Sequence, residues 1–545
     1  MDTPPSLRLC FPPAHGPGET DRMRTPFLAS VVVPLLLAAP AAVAATPCAE
    51  LTRIRIEATN LLSAAEVPAS GDLPAHCRVL GTVRPAISFE LRLPLEDWNG
   101  KLYATGCGGF CGTLDSDRPG FTNAMNYGLR RRYAAVTMDS GHWGTSSVDG
   151  RWAASDLVAR MDWGQRAVTE TARVAKVLVK GFYGRPEGKA YFAGCSTGGR
   201  MAAMEALKYP GDFDGIVAGA PALDYTGLVA TAFAWTAKAN LAPDGQPILS
   251  SAKVKRVAEA VAAACARPED KPFGLVADPA RCGFKPASLR CTGPDGPDCL
   301  TEAQAGVLDK WYAGPSDRTG RPLYPGGIPL GSEVHWPRWL TGLGNAPPVL
   351  PLFARDFLRY MAFWPAAGPA YRVADYDLDA DPPRLAPQAE TYNAATYDPA
   401  AGTVRLAGDL GAFRRAGGKL VLYHGLADPL VTPGMTVAFH DALARQAGGQ
   451  AALAGTARLF LVPGMDHCGI GTDGPGIADT GIDPLTALER WVEAGEAPER
   501  LVATKTGGPN GPVLWSRPVC AHPQVARYDG SGDPAKAESF ACAAP

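Results

Sequence analysis

Neither sign of charge dominates the 545-residue chain: Lys and Arg number 52, Asp and Glu 54, and the net charge is −2. No basic field is therefore available to hold a nucleic-acid backbone, and no nucleic-acid partner is expected. Long apolar runs are also scarce. Beyond residue 44 no segment reaches the roughly 20 apolar residues that a membrane helix needs, so no membrane span is expected. No internal repeat stands out along the chain. Histidine is thin, eight in all, which leaves few candidates for general-base chemistry near neutral pH.

What is present begins with an address. Arg24 precedes the run "PFLASVVVPLLLAAPAAVA", which ends at Ala42-Val43-Ala44. A short positive region, an apolar stretch and an A-x-A site read as a secretory signal over residues 1–44, too short and too Pro-interrupted to span a bilayer. The polar, Pro-rich residues before Met23 leave that methionine as an alternative start. A secreted or periplasmic product is expected. In an oxidising compartment the cysteines read as disulfides rather than as metal ligands or redox catalysts. Cys10 lies within the first 44 residues, and twelve cysteines follow. Ten fall into local couples: Cys48 with Cys77, Cys107 with Cys111, Cys265 with Cys282, Cys291 with Cys299 and Cys520 with Cys542. Cys195 and Cys468 remain.

Six apolar runs read as buried strands: "KLYATG" from Lys101, "YAAVTMDS" from Tyr133, "AYFAGCS" from Ala190, "GIVAGAPA" from Gly215, "KLVLYHG" from Lys419 and "LFLVPG" from Leu459. Helical patterns separate them, and strands that are apolar throughout argue for a parallel sheet covered on both faces, an α/β fold. The alternation stops after Pro221 and resumes near Lys419. The Pro-, Gly-, Trp- and Cys-rich stretch between reads as an inserted lid. The expected organisation is a core first part over 45–222, a lid over 223–405 and a core second part over 406–545.

"GCSTGGR" places Ser196 between Gly194 and Gly198, after a strand and before a helix. Glycines on both sides let strand and helix close around a nucleophile held on a sharp turn. A serine hydroxyl needs a histidine to take its proton and a carboxylate to orient that histidine, in the chain order Ser, acid, His on this fold. Asp428 in "YHGLADPLV" and His467 in "VPGMDHCG" lie just beyond successive strands, where ligand sites of parallel sheets gather. Asp466 is a rival acid, but adjacent residues rarely orient one another's rings. Cys195 abuts the serine and Cys468 the histidine, so a disulfide between them would tie the two loops across 273 residues. In the chain-entropy picture so long a link gives about 4–5 kcal/mol, and its sharper use is preorganisation of Ser196 against His467. The N–H of Thr197 and one N–H from "TGCGGFCG", that of Gly108 or next Gly109, are the expected oxyanion donors.

These segments, with "YPGDFDGIVAGAPA", "FYGRP" and "DSGHWG", resemble the tannase/feruloyl esterase family, which includes mono(2-hydroxyethyl) terephthalate hydrolases. The resemblance runs from about Cys48 to Cys542. It implies an α/β-hydrolase core with a lid inserted between nucleophile and acid, a disulfide joining the cysteines beside Ser196 and His467, and hydrolysis of hydroxybenzoic, gallic or hydroxycinnamic esters. The partner it implies is a small-molecule aromatic ester. The family also carries a lid calcium held by a pattern like Cys-Asp-x-x-Asp-x-x-x-Asp. Here Ala266 and Phe273 stand at two of those positions and Glu269 at the third, so no metal and no cofactor are expected and the Cys265–Cys282 loop is expected to persist without the ion. The Cys107–Cys111 pair is a second departure from the family pattern. The lid aromatics Trp336, Trp339, Phe357, Tyr360, Phe363 and Trp364 are candidates to stack on a substrate ring. The alternative is a catalytically silent binding module on the same fold, against which the joint presence of Ser196, Asp428 and His467 argues.

Overall fold

A computed structural model describes residues 45–508 and 511–545. The expected signal over 1–44, with Cys10, lies outside them. The strands are β1 (Thr59–Val67), β2 (His76–Val83), β3 (Ile87–Pro94), β4 (Lys101–Thr105), β5 (Ala134–Met138), β6 (Lys189–Cys195), β7 (Gly215–Gly219), β8 (Ala395–Asp398), β9 (Thr403–Leu406), β10 (Lys419–Gly425), β11 (Ala457–Val462), β12 (Arg500–Thr506), β13 (Val513–Cys520), β14 (Val525–Tyr528) and β15 (Phe540–Ala543). Nine form one sheet in the order β1-β2-β3-β5-β4-β6-β7-β10-β11. From β5 to β11 the pairing is parallel, and these are the six apolar runs. The first three strands pair antiparallel and extend the sheet beyond β5, so the sheet is mixed rather than parallel throughout.

Side chains alternate between two apolar layers, as a sheet covered on both faces requires. On β6, Ala190 and Phe192 enter one layer while Tyr191 and Ala193 enter the other. Helix α1 (Ala167–Tyr183) covers the first layer with Val168, Ala172, Ala175 and Val179, spaced for one helical face, and stops at Gly184 with φ 69°. Helix α2 (Thr197–Lys208) packs beside it on β6 and β7. The opposite layer is covered from the C-terminal side of the chain by Leu485, Leu488 and Trp491.

Between β7 and β10 lie helices α3 (Ser251–Cys265), α4 (Glu302–Ala313) and α5 (Val349–Tyr360), together with the β8–β9 hairpin. Thr301 and Gln304 close a capping box at the start of α4. Trp311, Trp336 and Phe357 from this stretch are buried in the same apolar cluster as α1 and α2. Helix α6 (Gly434–Ala447) follows β10, and α7 (Pro484–Ala494) follows β11. Two small hairpins, β12–β13 and β14–β15, finish the chain. Cysteines pair as Cys48–Cys77, Cys107–Cys111, Cys195–Cys468, Cys265–Cys282, Cys291–Cys299 and Cys520–Cys542. Among the described residues no helix is long and apolar enough to cross a membrane.

Candidate active site

Strand β5 lies on one side of β4 and β6 on the other, so the connection reverses direction there, and the crevice at the strand C-termini is the place where such sheets bind ligands. Ser196 is the single residue between β6 and α2. Its backbone sits at φ 63°, ψ −120°, a strained conformation for a residue with a β-carbon. The turn is held by the Ser196 N–H on Gly219 O (3.0 Å) and by the Ala222 N–H on Ser196 O (3.2 Å). A β-carbon on Gly194 would collide with the Gly198 backbone, and one on Gly198 with Asn123 Oδ1. Asn123 clasps the residue before the serine, accepting from Cys195 N at 2.9 Å and donating to Cys195 O at 3.1 Å. No pattern in the sequence marks this asparagine.

Asp428 is fully buried beyond the end of β10. Its Oδ1 accepts the N–H groups of Leu430 and Val431, each at 2.9 Å, and its Oδ2 faces His467 Nδ1 at 2.7 Å. A carboxylate can only accept, so Nδ1 of His467 carries the proton and Nε2 keeps its lone pair. A second imidazole, His424, approaches Asp428 Oδ2 at 3.3 Å. His424 Nε2 donates to Val431 O at 2.6 Å, and its Nδ1 accepts from the Thr436 hydroxyl at 2.7 Å. Burial alone would raise the Asp428 carboxyl, but the imidazoles of His467 and His424 beside it outweigh burial and hold it at about 2. Asp466 does not orient the His467 ring. It accepts from Gly471 N at 2.9 Å and Trp339 Nε1 at 3.3 Å, and burial pushes its carboxyl up to about 7.

The glycine-rich loop after β4 lies across from Ser196. Gly109 has φ 59°, and a β-carbon there would meet the Ser147 carbonyl. The Thr197 hydroxyl donates to Gly109 O at 2.6 Å, and the Phe110 N–H donates to Ser147 O at 2.7 Å. Among the described residues no protein acceptor takes the N–H of Thr197, Gly108 or Gly109. The Cys107–Cys111 disulfide brackets this segment across four residues, and both cysteines line the cavity that Ser196 opens into.

That cavity holds about 350 Å³ and is lined by both Ser196 and His467. The structure therefore brings Ser196, His467, Gly108 and Gly109 to one hollow, with Asp428 behind the imidazole. Ser196 makes no hydrogen bond to His467 among the described residues, and Cys468 Sγ lies 3.7 Å from His467 Nε2. Cys195 and Cys468 are joined with their Cα atoms 6.0 Å apart, so the two loops are covalently linked beside that gap.

The hollow has mixed walls, with Thr113, Asp115, Arg118 and Thr122 among its polar lining. Of the six lid aromatics, Trp339 reaches it, its ring edge-on to His467 at 5.5 Å and 90°. Trp336 and Phe357 are core residues with no exposed surface, and Trp364 is 46% exposed. Val349 and Phe353 of α5 line the cavity instead, with Leu114 and Leu430. Phe353 sits one helical turn before Phe357, and nothing in the sequence separates which of the two faces the cavity. Arg338 is the remaining lid residue at the rim.

In the Cys265–Cys282 loop, where the family resemblance places a calcium, the carboxylates are engaged by guanidinium groups. Asp270 is buried and bonded to Arg517 (3.0 Å) and Arg267 (2.9 Å), and Glu269 faces Arg267 at 3.3 Å. The Arg517 guanidinium lies 5.2 Å from the Phe273 ring. Two guanidinium groups thus take up the carboxylates that a hard cation would need.

The chain is similar to known proteins over most of its length. The family model described as tannase and feruloyl esterase matches residues 72–543. The chain is similar to the mono(2-hydroxyethyl) terephthalate hydrolase of Piscinibacter sakaiensis, 34% identical with 87% of this chain and 85% of that protein covered. It is likewise 34% identical to a probable feruloyl esterase of Arthroderma benhamiae, covering 85% of this chain and 83% of the relative. The crystal structure of feruloyl esterase B from Aspergillus oryzae superposes with a TM-score of 0.74 at 26% identity, over 90% of this chain and 98% of that one.

Proposed function

Because the chain belongs to the tannase and feruloyl esterase family of carboxylic ester hydrolases, we propose that it cleaves small aromatic acyl esters through Ser196, His467 and Asp428. The observation that carries this reading is the His467–Asp428 pair at 2.7 Å, opening onto the cavity that also holds Ser196. His467 Nε2 takes the Ser196 proton as Oγ attacks the ester carbonyl, and Asp428 steadies the imidazolium that results. The carbonyl oxygen becomes an oxyanion between the N–H of Thr197 and that of Gly108, with Gly109 the neighbouring donor. Collapse of the intermediate expels the alcohol, which leaves with the proton from His467. Water activated by the same imidazole then releases the acid and restores Ser196.

The acyl group fits a feruloyl, galloyl or related hydroxybenzoyl or terephthaloyl ring. Trp339 and Phe353 offer aromatic faces, and Val349 and Leu430 an apolar floor. Export through the leader over residues 1–44 accords with six disulfides, which persist in oxidising compartments. No cofactor is required by this chemistry.

A fluorophosphonate probe is expected to label the native protein at Ser196, and Ser196→Ala is expected to lose label and ester hydrolysis together, by several orders of magnitude in rate. Near-normal turnover by the alanine variant would remove Ser196 from the mechanism. Absence of both label and turnover in the native protein would favour the silent binding module. Methyl ferulate, methyl gallate and mono(2-hydroxyethyl) terephthalate, compared by kcat/KM, rank the acyl preference.

A further inference from the structure

The helix after β10 and the turn after β13 bring three metal-type ligands together, away from the cavity of Ser196. In α6, "AFHDAL" supplies His440 and Asp441; beyond β13, "CAHP" supplies His522. One ligand atom from each of the three lies within 4.8 Å of the others. We propose that His440, Asp441 and His522 bind one divalent transition-metal ion of the zinc class.

The first support is an unpartnered buried nitrogen. His440 is 3% exposed, and its Nδ1 is fully enclosed without a hydrogen-bond partner among the described residues. An orphaned buried polar atom of this kind is costly, and a bound ion is one way native proteins recover it. The two imidazole planes stand at 89° with ring centroids 5.7 Å apart, an arrangement from which two nitrogens can converge on one ion. Small side-chain rotations bring donors from this spacing to the ~2.0–2.1 Å bonds that zinc makes to nitrogen.

The second support is the fixed frame. The His522 N–H donates to Leu459 O at 2.8 Å, Ala521 bridges Phe460, and Cys520 is tied to Cys542. His522 also lines a cleft of about 370 Å³ together with Pro433, Gly434 and Val437, which gives an ion a path from solvent. The charged and polar neighbours are Asp441, Gln450, which donates to Asp441 Oδ1 at 3.2 Å, and Arg458, whose guanidinium is engaged by Glu499 at 2.8 Å.

Two imidazoles and one carboxylate select zinc, cobalt or nickel over calcium and magnesium, which want oxygen alone. Bound there, the ion joins α6 to the C-terminal hairpins, with water completing its shell. Because α6 also carries Thr436, the hydrogen-bond partner of His424, the site stiffens the helix behind Asp428 without touching substrate.

The test uses the full-length chain without a histidine tag, stripped by chelator and titrated with Co²⁺ and then Zn²⁺. One equivalent of Co²⁺ is expected to give visible d–d absorption, displaced by Zn²⁺, and Zn²⁺ is expected to raise Tm. His522→Ala and Asp441→Asn, both at partly exposed positions, are expected to weaken Co²⁺ binding at least tenfold while circular dichroism stays native. His440→Ala adds the buried ligand to the series. A native protein that binds no Co²⁺, or variants that bind it as tightly as the native chain, would overturn the assignment. Both readouts are independent of ester hydrolysis, so failure here leaves the esterase reading intact.

Discussion

Replacing Cys107 and Cys111 together by alanine asks what the short disulfide contributes to the oxyanion loop. The link spans four residues, and the chain-entropy relation for so small a loop gives about 2 kcal/mol. If all of that freedom returned to the loop of the folded enzyme, the N–H groups of Gly108 and Gly109 would be misplaced often enough to slow the chemical step about 30-fold. The full loss is not expected, because three contacts survive the substitution. Thr197 Oγ1 still holds Gly109 O at 2.6 Å, the Phe110 N–H still holds Ser147 O at 2.7 Å, and the residue 111 N–H still donates to Gly108 O at 3.0 Å. The expected fall in kcat is therefore between about threefold and 30-fold, with KM little changed because the apolar walls stay in place. Steady-state hydrolysis of methyl ferulate gives kcat and KM, and the Kd of an arylboronate, which presents a tetrahedral anion to the same donors, is expected to weaken in step with kcat. A lowered Tm with unchanged kcat would mean that the link serves the fold alone. Loss of kcat with undiminished arylboronate affinity would equally refute a role in oxyanion placement.

Alanine at both Cys195 and Cys468 is expected to cut kcat more than tenfold while a cooperative melt persists, since five other disulfides remain; a native kcat would contradict it, as would peptide mapping that finds either cysteine free in the native protein. Calcium added to the metal-stripped protein is expected to leave Tm and rate unchanged, because Arg267 and Arg517 hold the carboxylates of the lid loop; a rise in either with calcium alone would show that the loop takes the ion. Asp466 has a folded-state pKa raised to about 7 by burial, so its stabilising neutral form is fully present below about pH 4 and is lost as pH rises through 7. Between pH 5 and pH 8 the urea midpoint is expected to fall, and Asp466→Asn to flatten that fall. Parallel pH profiles for the two proteins would rule the group out.

The parallel half of the sheet and the residues at its C-terminal ends were legible because their signals are local. Strand runs apolar on both faces, glycines around Ser196, and Asp428 and His467 just past strand ends each need only a few neighbouring residues to be read. The antiparallel strands β1–β3 carry a weaker signal, alternation at best rather than an unbroken apolar run. Their charged side chains do not all point to water: Glu90 and Arg92 are buried and bonded to each other at 2.7 Å, and Arg78 reaches the same carboxylate at 2.9 Å. Alternation survives in β3, where Ile87, Phe89, Leu91 and Leu93 enter one apolar layer, but its polar face holds a buried ion pair instead of water. The lid gave a similar limit. Trp336 and Trp339 are three residues apart on the same turn, yet one is core and the other faces His467. Only the packing of α5 and its neighbours decides between them. His424, the second imidazole on Asp428, stands in plain view at the end of β10, but its role depends on a chain reversal that composition does not encode.

The bond between Cys195 and Cys468 also orders events during synthesis. The chain emerges from its N-terminus, and at ~5–20 residues per second the 273 residues that separate the two cysteines take roughly 14 to 55 s to follow. Cys48 is followed by Cys77 within 29 residues and Cys107 by Cys111 within four, whereas Cys195 has its partner only once residue 468 has been made. The long link therefore waits for the widest stretch of chain, although Cys520 and Cys542 emerge later still. A fragment broken off before Cys468 can fold its early strands and close its early disulfides, but it cannot make this connection. In that sense the bond reports on the stretch between: only a chain that carries both loops acquires the link joining the residue before Ser196 to the residue after His467.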